Sequence, residues 1–456
     1  MRGDLAALFR LAWPTALAQV GMMLFGIVDV WMVGRLGSRE IAAVGLADVC
    51  AFGSLIFGLG LVMGIDPIVT QAHGAGPRGG AQAGLALQRG LVLAVLVSIP
   101  LGFIWLHTDV LLLWFGQTEE MASLALAYTS AQVFSIPLML SFAAMRQYLQ
   151  GREMIFVPLV VVLAGNLLNV VFNEVLIFGR LGVPALGVVG AGLATGLSRL
   201  MLALGLWGVI AWRRLHAGAW TRWSRASFAP RGLLVIARYG VVIGVQLCLE
   251  VWAFSAATVF AGWLGERAAA AHIVALKVIS FTFMMPLGIS IAAATRVGNL
   301  LGAGSPPRAQ RAAWIALAFS GTLMCLTAVL FTLGRNVLGT VFTTDAAVLA
   351  LAATLFPVAA AFQLFDGTQV VGSGILRGMG TPRPAAVFNL IGYYVIGLPL
   401  GYVLGFRAGW GLAGVWAGLG AGLGVVAIAL VWWIATRGPA TVTRLAISAA
   451  PEQASA

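Results

Sequence analysis

The chain has 456 residues, 61% of them hydrophobic and only 9% charged, which leaves too few solvating groups to cover a water-soluble fold of this length. Its net charge of +12 would suit a nucleic-acid partner only if the basic residues gathered on one face; instead they sit in short connections between apolar runs, as in a membrane protein oriented by its arginines. The runs do not alternate with period two, so a β-barrel is excluded as well.

A hydrocarbon core about 30 Å thick takes about 20 apolar residues per helix. Such runs predict spanning helices at 9–34, 42–72, 88–107, 121–145, 155–178, 187–212, 233–263, 268–298, 309–334, 345–375, 384–406 and 410–436. The opening MRGDLAALFRLAWPTALAQ mimics a signal peptide through Ala16-Leu17-Ala18, but Pro14 interrupts the stretch before it and the apolar run continues to Gly34, so it is expected to stay as the first helix. The longest basic connection, RRLHAGAWTRWSRASFAPRG at 213–232, falls between the sixth and seventh runs. The last residues, PATVTRLAISAAPEQASA, are too short to span and are expected to be disordered. The expected division is an N-lobe at 1–212, a cytoplasmic linker at 213–232, a C-lobe at 233–438 and a tail at 439–456.

With the N-terminus in the cytoplasm, 19 arginines fall on that side, Arg10, Arg146, Arg238, Arg296, Arg377 and Arg383 among them. Only Arg35, Arg39, Arg180, Arg267, Arg335 and Arg407 fall on the other, and Arg199 and Lys277 are left inside spans. Both termini are therefore predicted to be cytoplasmic. Cys50, Cys248 and Cys325 all lie in apolar runs and show no pairing pattern.

The two halves repeat one another. Leu36-Gly37 matches Leu264-Gly265, Ala42-Ala43 matches Ala270-Ala271, Gly60 matches Gly288, and Gly74-Ala75-Gly76 matches Gly302-Ala303-Gly304, every pair 228 residues apart. Later, Gly187, Gly190 and Gly196 match Gly411, Gly414 and Gly420 at an offset of 224. Six spans per copy is an even number, so both copies enter the membrane from the same side. The fold class that follows is an all-α integral membrane protein of about twelve transmembrane helices, in two six-helix lobes related by a pseudo-twofold axis along the membrane normal. Two lobes facing across a cleft suit transport by alternating access.

An acid at mid-membrane costs at least about 3 kcal/mol on insertion scales, so it needs a partner or a task. Asp29, Asp66, Glu250 and Asp366 lie well within predicted spans, with Asp48 and Glu174 nearer the ends. Glu250 corresponds to Met22 under the repeat, seven residues before Asp29, so each lobe carries an acid on the same face of equivalent helices at depths differing by about 10 Å. Phe362 lies one turn before Asp366, Asn166, Asn169 and Asn173 form a polar stripe on the fifth span, and Thr195 stands on the sixth. Such carboxylates can take up H⁺ or a small cation, and oxygen-rich neighbours would complete a hard-cation shell.

Plainer roles stand beside these. Glu250 and Lys277 can form a static ion pair, Asp29 can pack helices as a protonated donor, and the asparagines can be interhelical glue. Asp66, just before Pro67, suits a structural or gating part. Arg199 can snorkel or pair with an acid. His73, His107, His216 and His272 are far apart, and no phosphate-binding G-x-x-x-x-G-K-[ST] run is present, so neither metal-dependent enzymology nor ATP-driven transport is expected.

WPTALAQVGMMLFGIVDVWMVGRLG in the first helix, the Gly-Ala-Gly ends of the second and eighth, the Glu250 stretch followed by AAAAHIVAL, and DGTQVVGSGILRGMGTP from Asp366 onward together resemble the multidrug and toxic compound extrusion (MATE) family, in its NorM-like bacterial branch. The resemblance spans about residues 5–436. It implies a secondary transporter, not an enzyme, that exports organic, often cationic or amphipathic drugs in exchange for H⁺ or Na⁺, with no cofactor besides the coupling ion. It also implies a C-lobe cation site at Glu250 and Asp366 and an N-lobe site at Asp29, Asn169, Asn173 and Thr195. Three features depart from the pattern or bear on it: Asn173 stands where the family often has Asp, Phe362 stands where some NorM-like members have Tyr, and Lys277 lies near the acids. The first two remove a titratable group and an oxygen ligand, and together with Lys277 they tilt the expectation toward H⁺. A monomer in the bacterial inner membrane is expected, with the lipid bilayer and drug substrates as its partners and no nucleic acid. The alternative within transport is a lipid-linked oligosaccharide flippase, whose anionic substrates would favour several cleft arginines or lysines, where only Arg199 and Lys277 are candidates.

Overall fold

The computed structural model describes residues 2–442 and 445. Twelve helices are long and apolar enough to cross a bilayer: α1 (Gly3–Val33), α2 (Ser38–Gly74), α3 (Gly76–Leu106), α4 (Glu119–Gly151), α5 (Phe156–Phe178), α6 (Gly187–Trp212), α7 (Pro230–Trp263), α8 (Glu266–Gly302), α9 (Pro306–Leu333), α10 (Ala346–Met379), α11 (Arg383–Arg407) and α12 (Gly411–Thr441). Short helices at Thr108–Trp114 and Arg225–Phe228 lie in the connections. Proline marks the irregular turns, because it cannot donate to the helical ladder. Ahead of Pro67, α2 tightens into a 3₁₀ turn at Met63–Ile65, and α11 has π-helical stretches at Leu390–Gly397 and Val403–Arg407 on either side of Pro399.

Several helices run past the apolar stretches that announced them. The eighth extends to Gly302 and the tenth to Met379, beyond the expected ends at 298 and 375. At about 1.5 Å per residue the 37 residues of α8 reach about 55 Å, well over the hydrocarbon thickness. Arg377, counted in the sequence as a loop charge, is therefore a helical residue only 7% exposed.

Helices α1–α6 and α7–α12 form the two lobes. In the first, α5 packs between α1 and α6; in the second, α10 packs against α8, α9 and α12. Between lobes the main contacts are α1 with α8 and α2 with α7. The repeat exchanges α1 with α7 and α2 with α8, so each contact is the image of the other.

The symmetry holds at single residues. A Cβ on Gly60 would lie 2.3 Å from Gly244 Cα, and one on Gly288 would lie 2.6 Å from Ala16 N; residues 16 and 244 are 228 apart, as are 60 and 288. A Cβ on Gly74 would lie 1.9 Å from Asn299 O, and one on Gly302 2.0 Å from Gln71 O, again the same pair of positions exchanged. Lipid tails are as apolar as leucine, so close backbone approach rather than hydrophobic burial holds such crossings, and only glycine permits it. Around them, Leu8, Leu11 and Ala12 of α1 share one apolar cluster with Ile289, Ala293 and Val297 of α8.

Interlobe polar contacts gather at the end of the molecule that carries the N-terminus. Arg377 Nε lies 3.2 Å from Asp66 Oδ2. Gln71 Nε2 donates to Gly378 O at 3.2 Å, Asn299 Nδ2 to Glu153 Oε1 at 2.9 Å, and Arg296 Nη2 to Asp4 Oδ1 at 3.1 Å. Among the described residues no hydrogen bond or ion pair joins the opposite halves of the two lobes. The molecule is closed at one end.

The α6–α7 connection lies against the first lobe. Gln88 Nε2 donates to Thr221 O at 2.6 Å, Ser227 Oγ to Gln88 Oε1 at 2.7 Å, Arg89 Nη2 to Ala226 O at 3.1 Å, and Arg152 Nη1 to Leu215 O. Of the tail expected to be disordered, Pro439–Thr441 forms a 3₁₀ turn and the Leu445 N–H donates to Gln71 Oε1 at 3.0 Å; 443, 444 and 446–456 lie outside the described residues.

Candidate functional site

Asp29 projects from α1 between α5 and α6 and is 3% exposed. Its Oδ1 accepts from Asn173 Nδ2 at 2.7 Å and from Asn169 Nδ2 at 3.0 Å, and its Oδ2 accepts from Thr195 Oγ1 at 2.7 Å. The four residues expected from the sequence thus meet at one carboxylate. Asn166, the third residue of the stripe, does not join them; its Nδ2 donates to Gly21 O at 2.9 Å and ties α5 to α1. Ser198, which no sequence pattern singled out, accepts from Asn169 Nδ2 at 3.3 Å. The two amide groups donate to Oδ1, while the single Thr195 hydroxyl proton is within reach of both Asp29 Oδ2 and Ala191 O, 3.0 Å away, so Oδ2 can meet that hydroxyl either as acceptor or, protonated, as donor. Arg199 is in electrostatic reach of Asp29 and Asp48; its guanidinium donates to Ser135 Oγ at 3.1 Å and lies 5.6 Å from the Trp105 ring centre.

The second lobe has a different arrangement. Glu250 of α7 and Asp366 of α10 are in electrostatic contact, and Asp366 is 3% exposed. Gln369, three residues after Asp366, donates from Nε2 to Glu250 Oε2 at 3.2 Å and to Asn389 Oδ1 at 3.4 Å. Gln369 Oε1 and the Tyr393 hydroxyl are buried with no hydrogen-bond partner, and Tyr393 feels the charge of both acids. Two carboxylates with unclaimed amide and phenol oxygens form a donor set that suits a hard cation such as Na⁺, or a proton shared between the acids. Gln369, Asn389 and Tyr393 escaped the sequence reading because, unlike the three asparagines of α5, they form no stripe of one residue type, and an isolated neutral polar side chain carries no penalty large enough to mark it.

The remaining sequence candidates find other places. Phe362 is buried against Phe254 and Trp416, ring centres 6.4 and 5.9 Å away, so it packs the wall beside Asp366. Lys277 is exposed and forms no ion pair with Glu250 among the described residues; its charge acts on Asp48 of the opposite lobe. The static Glu250–Lys277 pair is therefore replaced by a Glu250–Gln369 contact. Asp66 pairs with Arg377 between lobes. His272 is structural: its Nδ1 accepts from Trp416 Nε1 at 3.2 Å, and its Nε2 lies 2.9 Å from Thr258 Oγ1.

The MatE family model matches residues 14–175 and 243–403, once in each lobe. The chain is 34% identical over 442 residues to a probable multidrug resistance protein NorM of Mesorhizobium japonicum, covering 94% of this chain and 93% of that one. It is 33% identical to the multidrug resistance protein NorM of Vibrio cholerae, covering 94% and 95%. It is also 33% identical to multidrug and toxin extrusion protein 1 of Xenopus tropicalis, covering 90% of this chain and 70% of that one. Among solved structures, the eukaryotic MATE transporter AtDTX14 superposes with a TM-score of 0.88 at 24% identity, with 96% of each chain covered.

Proposed function

The chain belongs to the MatE family of multidrug and toxin extrusion transporters, a NorM-like member, and from that premise we propose that it is an antiporter. It exports organic, often cationic or amphipathic compounds across the bacterial inner membrane, with both termini cytoplasmic, and draws energy from inward movement of H⁺ or Na⁺. The observation that carries this reading is the pair of acids, Asp366 buried and Glu250 half-buried, beside the unclaimed oxygens of Gln369 and Tyr393 and with no basic partner among the described residues. Two like charges in a medium of low dielectric repel strongly, and a cation between them removes the cost. Occupied, the site is neutralised and the lobes are free to rearrange; emptied, it attracts a cationic drug.

Asp29 is the N-lobe counterpart. A proton on its Oδ2 would reverse the Thr195 hydrogen bond, the carboxyl donating to Oγ1 while the hydroxyl donates to Ala191 O, so α1 can change charge without losing its tie to α6. The lobes, joined at the terminus-bearing end, fit the state that faces outward when that end is cytoplasmic. Alternating access then requires the Asp66–Arg377 contact to break.

The test is efflux of a fluorescent cationic dye from proteoliposomes under a proton gradient and, separately, a sodium gradient. Glu250→Gln and Asp366→Asn are expected to abolish gradient-driven efflux while the protein stays folded. Efflux by both variants at the wild-type rate would overturn the coupling assignment, and the gradient that drives the wild type identifies the ion.

A further inference from the structure

One cavity lies outside the carboxylate sites, at the terminus-bearing end of the second lobe. It measures about 540 Å³ and sits between α7, the α10–α11 connection and α12, lined by Val235, Arg238, Tyr239, Thr381, Arg383 and Trp433. No acid lines it. Arg238 and Arg383 are both exposed, and neither has an ion-pair or hydrogen-bond partner among the described residues. Thr381 Oγ1 is buried there without a partner. A third guanidinium, that of Arg437, lies over the Trp433 ring 4.8 Å from its centre.

We propose that this cavity binds the phosphate headgroup of an anionic phospholipid. Two unpaired guanidinium groups lining one space match the charge and the acceptor-rich geometry of a phosphodiester. The position fits a lipid: the cavity lies where α10 ends and α11 begins, at the edge of the spanning region. Tyr239 and Trp433 are the amphipathic aromatics that favour that level. Beside it, Leu234 and Val387 are 52% and 51% exposed and offer a path for acyl chains. Basic pockets between helices at this level are suited to anionic headgroups. The first lobe does not repeat the site, for Arg238 corresponds to Arg10, but the positions 224–228 residues before Arg383 are 155–159, IFVPL, with no basic residue among them. The paired arginines are thus a property of the second lobe alone. A bound headgroup would bridge α7 to the connection that begins just after Arg377.

The experiment is native mass spectrometry of the detergent-solubilised full chain, titrated separately with dioleoyl phosphatidylglycerol, dioleoyl phosphatidylcholine and inorganic phosphate. Wild type should bind phosphatidylglycerol in preference to phosphatidylcholine, with about a fivefold loss of affinity for each arginine removed and so about 25-fold for Arg238→Gln/Arg383→Gln. Arg238→Lys/Arg383→Lys should keep most of the binding, and Arg10→Gln, at the repeat-equivalent position, should keep all of it. Equal binding of the two lipids, or unchanged phosphatidylglycerol affinity in the double glutamine variant, would overturn the site. An equal loss in Arg10→Gln would reduce it to general surface charge. Inorganic phosphate that displaces phosphatidylglycerol at comparable concentration would overturn the lipid as ligand in favour of a soluble phosphate.

Discussion

Replacing Arg377 with glutamine should open the end of the molecule that is closed here. Removing one member of a well-formed buried ion pair costs about 3–5 kcal/mol. This pair makes a single N···O contact of 3.2 Å, and neither Arg377 Nε nor Nη2 has a hydrogen-bond partner of good geometry, so a figure of about 2 kcal/mol, below the range for a well-formed buried pair, is the appropriate one. The contact exists only when the lobes are joined at this end, so its loss shifts the balance between joined and open forms by about 30-fold. The shift can be read from electron–electron distance distributions between spin labels at Arg78→Cys and Ala303→Cys, exposed at the start of α3 and just after α8, with Cys50, Cys248 and Cys325 replaced. Arg377→Gln should raise the long-distance population. Asp66→Asn should act in the same direction, and the double variant should recover part of the loss because no unpaired charge remains buried. Identical distributions in wild type and Arg377→Gln would refute the idea that this ion pair holds the lobes together.

Thr195→Val removes one of three hydrogen bonds to a buried carboxylate, a loss of about 1.5–3 kcal/mol; it should lower the thermal midpoint and slow dye efflux, and a variant unchanged in both would show that Asp29 does not depend on α6. Gly74→Ala and Gly302→Ala each press a methyl group onto a carbonyl of the opposite lobe, at 1.9 and 2.0 Å in the present geometry. The two should weaken closure to the same degree in the spin-label experiment, and a response in only one of them would contradict the paired contact.

The duplication was legible at the level of single contacts. An offset of 228 taken from Gly60, Gly74, Gly288 and Gly302 also relates the positions these glycines touch in the other lobe, because close helix crossings require small residues and small residues leave a visible pattern. The acids were legible for the opposite reason, since charge within an apolar run is costly enough to stand out. What lay between these extremes was hidden. Arg377 looked like a loop charge because the apolar run stopped four residues short of the helix end. Gln369, Asn389 and Tyr393 look like ordinary helix residues until α7, α10 and α11 are brought together. Lys277 adjoins the acids in the sequence pattern, but its position on α8 directs its charge toward Asp48 rather than Glu250.

A contact that maps onto itself when two halves exchange is the contact that a dimer of identical halves would make. In such a dimer every interface residue occurs twice, so an acid set opposite a base at one position must be matched by a second copy of the pair. One continuous gene lifts that obligation. Asp66 has Ala294 at its repeat position, and Leu376-Arg377-Gly378 aligns with Leu149-Gln150-Gly151, so the fused chain carries one charged latch on one flank and no ion pair at the equivalent positions on the other. Glu250 against Met22 and Arg383 against the apolar stretch 155–159 follow the same course. Fusion let the two copies keep a shared scaffold of glycine crossings while diverging in the charges that control the cycle.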